Sequence, residues 1–279
     1  MFYFFVFLLF MLGASLGSFI GAQVWREDKD IKNKRSVCES CHKPLAWYRL
    51  VPFFSSLYGY LAKGSCGFCN IKLPAQYLIL EFTSGVFLVL LSNFLIDNNY
   101  LSFSFIGNVL LSAQVIVATA VTYFVIRLAY EDYVGNNISA RLVYVFLSMS
   151  AVLSLISYVA FHSYVGFFVS LILVSPLFLV SFLSKEGAMG LGDPLVLLAT
   201  FLFFGSIHSS APIAIFFYTV WIATIVSVGY VFYKFGKFER GIKVPFLPFL
   251  VMGILVLLIT RLYLFELSDI LQIWYFLVG

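Results

Sequence analysis

Eight apolar stretches, at approximately 2–24, 75–96, 105–128, 138–160, 163–183, 194–207, 211–233 and 245–265, leave this chain few ways to fold. A helix of about 20 apolar residues spans the hydrocarbon core of a bilayer, and lipid offers the backbone no hydrogen-bond partner, so a spanning segment must satisfy its own. With 62% hydrophobic, 19% aromatic and 11% charged residues, and a mean hydropathy of +1.01, the chain carries more apolar surface than a soluble domain of 279 residues could hide. The expected fold is an all-α polytopic membrane protein of about eight transmembrane helices. In the first stretch, Gly13, Ala14, Gly17 and Ser18 form a small-residue face suited to close helix packing. No Lys or Arg precedes Arg26, and the stretch is longer than a usual signal-peptide core, so it reads as a span and not a cleaved signal.

Residues 25–74 form the long polar interruption and carry nine of the seventeen Lys and Arg residues. All four cysteines lie here, as Cys38-Glu39-Ser40-Cys41 and Cys66-Gly67-Phe68-Cys69, two C-x-x-C pairs 24 residues apart. That spacing suits a tetrahedral zinc site in which each pair supplies two thiolates. The metal would replace a hydrophobic core that about fifty residues barely build. Two disulfides are the competing reading, but they need an oxidising compartment, whereas so basic a segment belongs on the reduced cytoplasmic side. The expected division is therefore a first transmembrane helix (1–24), a cytoplasmic four-cysteine zinc domain (25–74) and a transmembrane domain (75–279). If 25–74 is inside, so are 129–137, 184–193 and 234–244. Sixteen of the seventeen basic residues then lie in or beside inside segments, Arg261 being the exception, with the amino terminus outside. The net charge of +4 is thus read as topology, and the basic segments point to anionic lipid headgroups, not to nucleic acid.

Two acidic positions fall at the inside ends of spans. Gly190-Leu191-Gly192-Asp193 precedes a stretch opened by Pro194. An ionisable residue at membrane depth is a functional hypothesis by default, and glycines let a substrate backbone approach; the bland alternative is a turn with an aspartate cap. The stretch 194–207 has 14 residues, about 21 Å of helix against a core of about 30 Å, which suggests that the glycine segment is recessed into a water-lined cavity. Glu131 and Asp132 end the third span on the same side. Two carboxylates sharing a site cannot both ionise easily, so one can hold a proton while the other activates water. Neighbours on a helix point about 100° apart, so only one of this pair can face Asp193; the bland alternative is a solvated helix end.

With these features the chain resembles the type IV prepilin peptidases, the leader peptidases of type IV pili and type II secretion. The resemblance runs through Gly17-Ser18-Phe19, residues 36–47, Val51-Pro52-Phe53, Lys63-Gly64-Ser65-Cys66, residues 77–81, Gly190-Leu191-Gly192-Asp193 and Lys243-Val244-Pro245-Phe246-Leu247-Pro248. Alignment on Ile138 puts the first catalytic aspartate at Asp132, the second at Asp193 with Gly190 and Gly192 supporting it, and leaves Glu131 a bystander. Ser139 stands where the family usually has proline, Leu247 where it has glycine, and Leu195 where lysine is common.

The resemblance implies a bacterial inner-membrane aspartyl endopeptidase. It would remove the short basic leader of prepilins or pseudopilins at the cytoplasmic face and N-methylate the new amino terminus with S-adenosylmethionine. The sequence offers no glycine-rich nucleotide loop that would place this cofactor. Two rival readings are an intramembrane aspartyl protease of the presenilin or signal-peptide-peptidase kind, which lacks the double C-x-x-C insertion, and a transporter or assembly scaffold with acidic residues on a proton path.

Overall fold

The computed structural model describes residues 2–28, 38, 41, 43, 51–61, 69, 75–98, 107–135, 138–161, 164–183, 190–235 and 245–260. Among these residues nine helices follow one another: α1 (Phe2–Asp28), α2 (Phe54–Leu61), α3 (Ala75–Asp97), α4 (Gly107–Gly135), α5 (Ala140–Phe161), α6 (Val165–Leu183), α7 (Gly192–Ile207), α8 (Ala211–Phe235) and α9 (Leu247–Thr260). Five described helical segments are long and apolar enough to cross a membrane: Tyr3–Glu27, Ala75–Asp97, Ala113–Gly135, Ala140–Val159 and Val165–Leu183. Gly192–Ile207, Ala211–Val226 and Leu247–Thr260 are shorter apolar helices. The fold is an all-α membrane protein, as composition required, with the short helix α2 added inside the polar 25–74 segment.

The chain divides into two compact units, the first comprising Met1–Ile96 and Leu101–Arg127, the second Asp97–Tyr100 and Leu128–Gly279. In the first, the small-residue face of α1 meets α3. A Cβ on Gly13 would lie 2.8 Å from the Gly85 Cα, and one on Gly17 2.9 Å from the Glu81 Cα. The two backbones are therefore in contact, the close packing that small residues permit between membrane helices. The Phe10 ring continues this contact edge-on against Phe53, centroids 5.2 Å apart. At the other end of α1, Glu27 accepts a 2.6 Å ion-paired hydrogen bond from Arg127 of α4.

The second unit is built around α7, which packs on α5, α6 and α8, while α8 packs on α9. From Val196 to Ser206 α7 is buried at nearly every position, as expected of a helix that is apolar all round. Its carboxyl-terminal end is close to α6: a Cβ on Gly166 would run into the Gly205 carbonyl. The Ser157 hydroxyl of α5 also donates to the Ser206 carbonyl at 2.7 Å. This burial accounts for the shortness of α7. Its neighbours are protein along most of its length, so it has no need to match the bilayer by itself.

Candidate active site and cysteine cluster

Three of the four cysteines lie among the described residues, and they converge. The Sγ atoms of Cys38, Cys41 and Cys69 are all within 4.8 Å of one another, with Cys38 and Cys69 at 3.5 Å. None of the three forms a disulfide. The Cys38 N–H donates to the Lys43 carbonyl at 2.9 Å. Sulfurs so close together suit a tetrahedral metal with bonds of about 2.3 Å, so the cluster could hold a metal ion. Cys66, the expected fourth ligand, lies outside the described residues.

Asp193 belongs to the first turn of α7, because the helix begins at Gly192, two residues before Pro194. The residue preceding the helix is Leu191, and no side chain caps this terminus. The aspartate-cap reading of the glycine motif therefore fails: the carboxylate is not consumed by its own helix. Instead Gly190 folds back on it. The Asp193 N–H donates to the Gly190 carbonyl at 3.3 Å, and the Gly190 backbone hydrogen-bonds the Asp193 carboxylate in return. Asp193 Oδ1 is buried and has no hydrogen-bond partner among the described residues. A Cβ on Gly190 would meet nothing nearer than 4.0 Å, so this glycine leaves an open approach to the carboxylate. Gly192 has a different reason to lack a side chain: a Cβ there would press on Ile138 Cδ1 at 3.3 Å.

Glu131 and Asp132 end α4 but are not solvated, being 8% and 6% exposed. They part as the helical angle requires. Asp132 Oδ2 accepts the Leu247 N–H at 2.9 Å, and the Phe246 backbone bonds the same carboxylate. Asp132 also lies close enough to Asp193 for the two charges to act on each other. Glu131 Oε2 accepts the Ser139 N–H at 3.0 Å, immediately before α5. Glu131 thus turns away from Asp132 and fastens the start of α5, beside Ile138, against which Gly192 is seated. A proline at position 139, usual in the resembled family, has no N–H to donate, so serine makes this bond possible. Leu247 is likewise accommodated. It starts α9 with its side chain 1% exposed, and among the described non-glycine residues only Phe53 has a positive φ.

One buried carboxylate escaped the sequence reading. Glu81 of α3 is 2% exposed and accepts the Phe53 N–H at 2.6 Å, with further hydrogen bonds from Ser18 and Ser56. Phe53 has φ 63°, a conformation that costs a bulky residue roughly 1–3 kcal/mol. The Glu81 contact holds it where Val51-Pro52 turns into α2. The available signal was a lone glutamate inside an apolar span.

Residues 11–94 match the family model of the bacterial peptidase A24 N-terminal domain. Over 80 residues, 28% of the chain, the sequence is 32% identical to the "Prepilin leader peptidase/N-methyltransferase" of Myxococcus xanthus (strain DK1622); the match spans 23% of that relative's length. No solved structure matches the chain significantly. The matched family stretch contains the glycine face of α1, the cysteine pairs and Glu81 and ends before Asp132. Through this amino-terminal third the chain is similar to the bacterial A24 peptidases, and the two likenesses support its resemblance to the type IV prepilin peptidases.

Proposed function

We propose that this chain is a membrane aspartyl endopeptidase that removes the short basic leader from prepilin-like proteins at the cytoplasmic face of a bacterial inner membrane. The observation carrying the reading is the pairing of Asp132 and Asp193, brought from α4 and α7 to interacting distance, with Asp193 Oδ1 buried and lacking a partner among the described residues. Such a pair can cleave a peptide bond with water. The ionised carboxylate takes a proton from water as the water oxygen bonds to the scissile carbonyl carbon, and the protonated carboxyl gives its proton to the carbonyl oxygen. As the tetrahedral intermediate collapses, the C–N bond breaks and the leaving nitrogen takes up a proton. Gly190 leaves room for the substrate backbone, and the basic leader and apolar helix of a prepilin would meet at this depth, each in a suitable solvent.

Cys38, Cys41 and Cys69, with Cys66, would hold a structural zinc in residues 25–74, where the ion would supply folding free energy. The same proposal includes N-methylation of the new amino terminus, with S-adenosylmethionine supplying the methyl group. The described apolar cavity of about 360 Å³ between α1 and α3, lined by Tyr3, Phe10, Val89 and similar side chains, does not suit that charged cofactor, so no residue is assigned to it.

Purified protein incubated with a prepilin-like substrate, with and without S-adenosylmethionine, tests both reactions by mass spectrometry. The expected products are a substrate shortened by its leader and, with the cofactor, one methyl group heavier. An intact substrate after incubation with folded protein would end the peptidase reading. Cleavage within the apolar helix would favour the presenilin-like alternative, and substrate flux or retention without cleavage the transporter or scaffold.

A further inference from the structure

The hydrogen bonds at the start of α9 distinguish the two aspartates, and the inference drawn from them rests on the peptidase reading above. The Phe246 carbonyl accepts the Phe249 N–H at 3.1 Å and the Leu250 N–H at 3.4 Å, so Phe246 caps α9 and Leu247 is its first residue. A helix start carries backbone N–H groups without intrahelical partners and a partial positive charge. Pro248, the second residue, has no N–H. The donors left at this terminus belong to Phe246 and Leu247, and both are directed to Asp132, Leu247 at 2.9 Å. Asp193 has one backbone partner, Gly190, and keeps Oδ1 without any among the described residues.

We infer that the Phe246-Leu247 backbone is a positioning element of the dyad, which holds Asp132 as the ionised base and leaves the shared proton on Asp193. A carboxylate oxygen that accepts N–H bonds is an acceptor, and ionised carboxylates form the stronger bonds of this kind. Asp132 is thereby turned and charged to take a proton from water. Asp193, with an oxygen free of other bonds, carries the proton given to the scissile carbonyl oxygen. Among the described residues, the neighbouring charged groups on α4 are engaged elsewhere. Glu131 is committed to the Ser139 N–H, and Arg127, one turn earlier on α4, is paired with Glu27. Leu247, where the resembled family has glycine, serves through its N–H, which either residue supplies.

The test removes that one hydrogen. Replacing the Leu247 amide by an ester, through incorporation of the corresponding hydroxy acid, deletes the N–H and keeps the side chain. Leu247→Pro deletes it genetically, at a helix position where proline is sterically accepted. An ester at Phe249, whose N–H bonds the Phe246 carbonyl, is the control for a weakened helix start. Loss of a hydrogen bond to a charged group predicts kcat lower by about tenfold or more in both Leu247 variants, with KM within about twofold because the substrate is not touched. The Phe249 ester should stay within about threefold of wild type on the same scale. Wild-type kcat in the Leu247 ester would overturn the inference, as would an equal loss in the Phe249 ester. If the wild type cleaves and Asp132→Asn does not, while the Leu247 ester is unaffected, this inference falls and the peptidase reading stands. If the wild type does not cleave, the peptidase reading falls with it.

Discussion

Glu81, buried as a whole, and Asp193, half-buried with Oδ1 enclosed, are carboxylates in different units of the chain, and they differ in how completely they are bonded. Glu81 receives a backbone N–H and two hydroxyls. Asp193 receives one backbone bond and keeps Oδ1 without a partner among the described residues. A buried polar group without a partner is destabilising, so a fold that retains one is holding it for something else. A saturated buried carboxylate ties chain segments together. An unsaturated one, beside a second carboxylate, keeps an oxygen for a further bond. On the proposed function, the comparison separates a first unit concerned with holding shape from a second concerned with chemistry.

The largest test of that division is amide substitution in the second unit. Asp193→Asn and Asp132→Asn should each lower cleavage by about a thousandfold or more, since general acid–base catalysis contributes on that order. Both variants should remain folded, because the exchange is nearly isosteric and removes a charge that burial disfavours. Substantial cleavage by purified Asp193→Asn would erase the distinction. Next, a Cys38→Ser, Cys69→Ser double variant should lose bound zinc and loosen residues 36–72, since metal binding supplies much of such a domain's folding free energy. Metal analysis and limited proteolysis read this out, and full stoichiometry would remove the thiolate site.

Glu81→Ala should behave in the opposite sense to the aspartate variants. It leaves the Phe53 N–H and two hydroxyls without an acceptor, at about 3 kcal/mol, so thermal unfolding in detergent should shift down while kcat of the folded fraction stays within a few-fold. A dead but fully stable Glu81→Ala would place Glu81 with the chemistry. The smallest effect sharpens the comparison within α4 itself. Glu131→Gln keeps an oxygen for the Ser139 N–H and should retain cleavage within about threefold, whereas Glu131→Leu, which leaves that donor unpaired, should lower it by about tenfold. Equal activity of the two variants would show that the Glu131 bond does not position Ile138 and Gly192.

Much of this is legible in the sequence alone. Apolar length separated the spans, and the glycines of α1 marked the face that meets α3, because both depend on local composition and period. The C-x-x-C pairs marked, through spacing alone, cysteines that converge, three of them among the described residues. The angle between adjacent helical residues required Glu131 and Asp132 to diverge, and they do. The partners they diverge toward were not legible. Leu247 is 115 positions from Asp132, and Ser139 looked like a mere departure until its N–H met Glu131. Glu81 passed as one acidic residue in an apolar helix, since its donors come from elsewhere in the chain, Ser18 from α1 and Phe53 and Ser56 from the start of α2.

What the sequence by itself determined is the membrane fold and the kinds of residue able to do chemistry, because lipid admits few backbone solutions and tolerates few charges. Which charges are saturated was decided only by the tertiary structure. The state of a buried carboxylate depends on donors delivered by other helices, and that delivery is a matter of three-dimensional packing with no period in the chain. Asp132 against the start of α9, and Asp193 with one oxygen left over, are products of that packing.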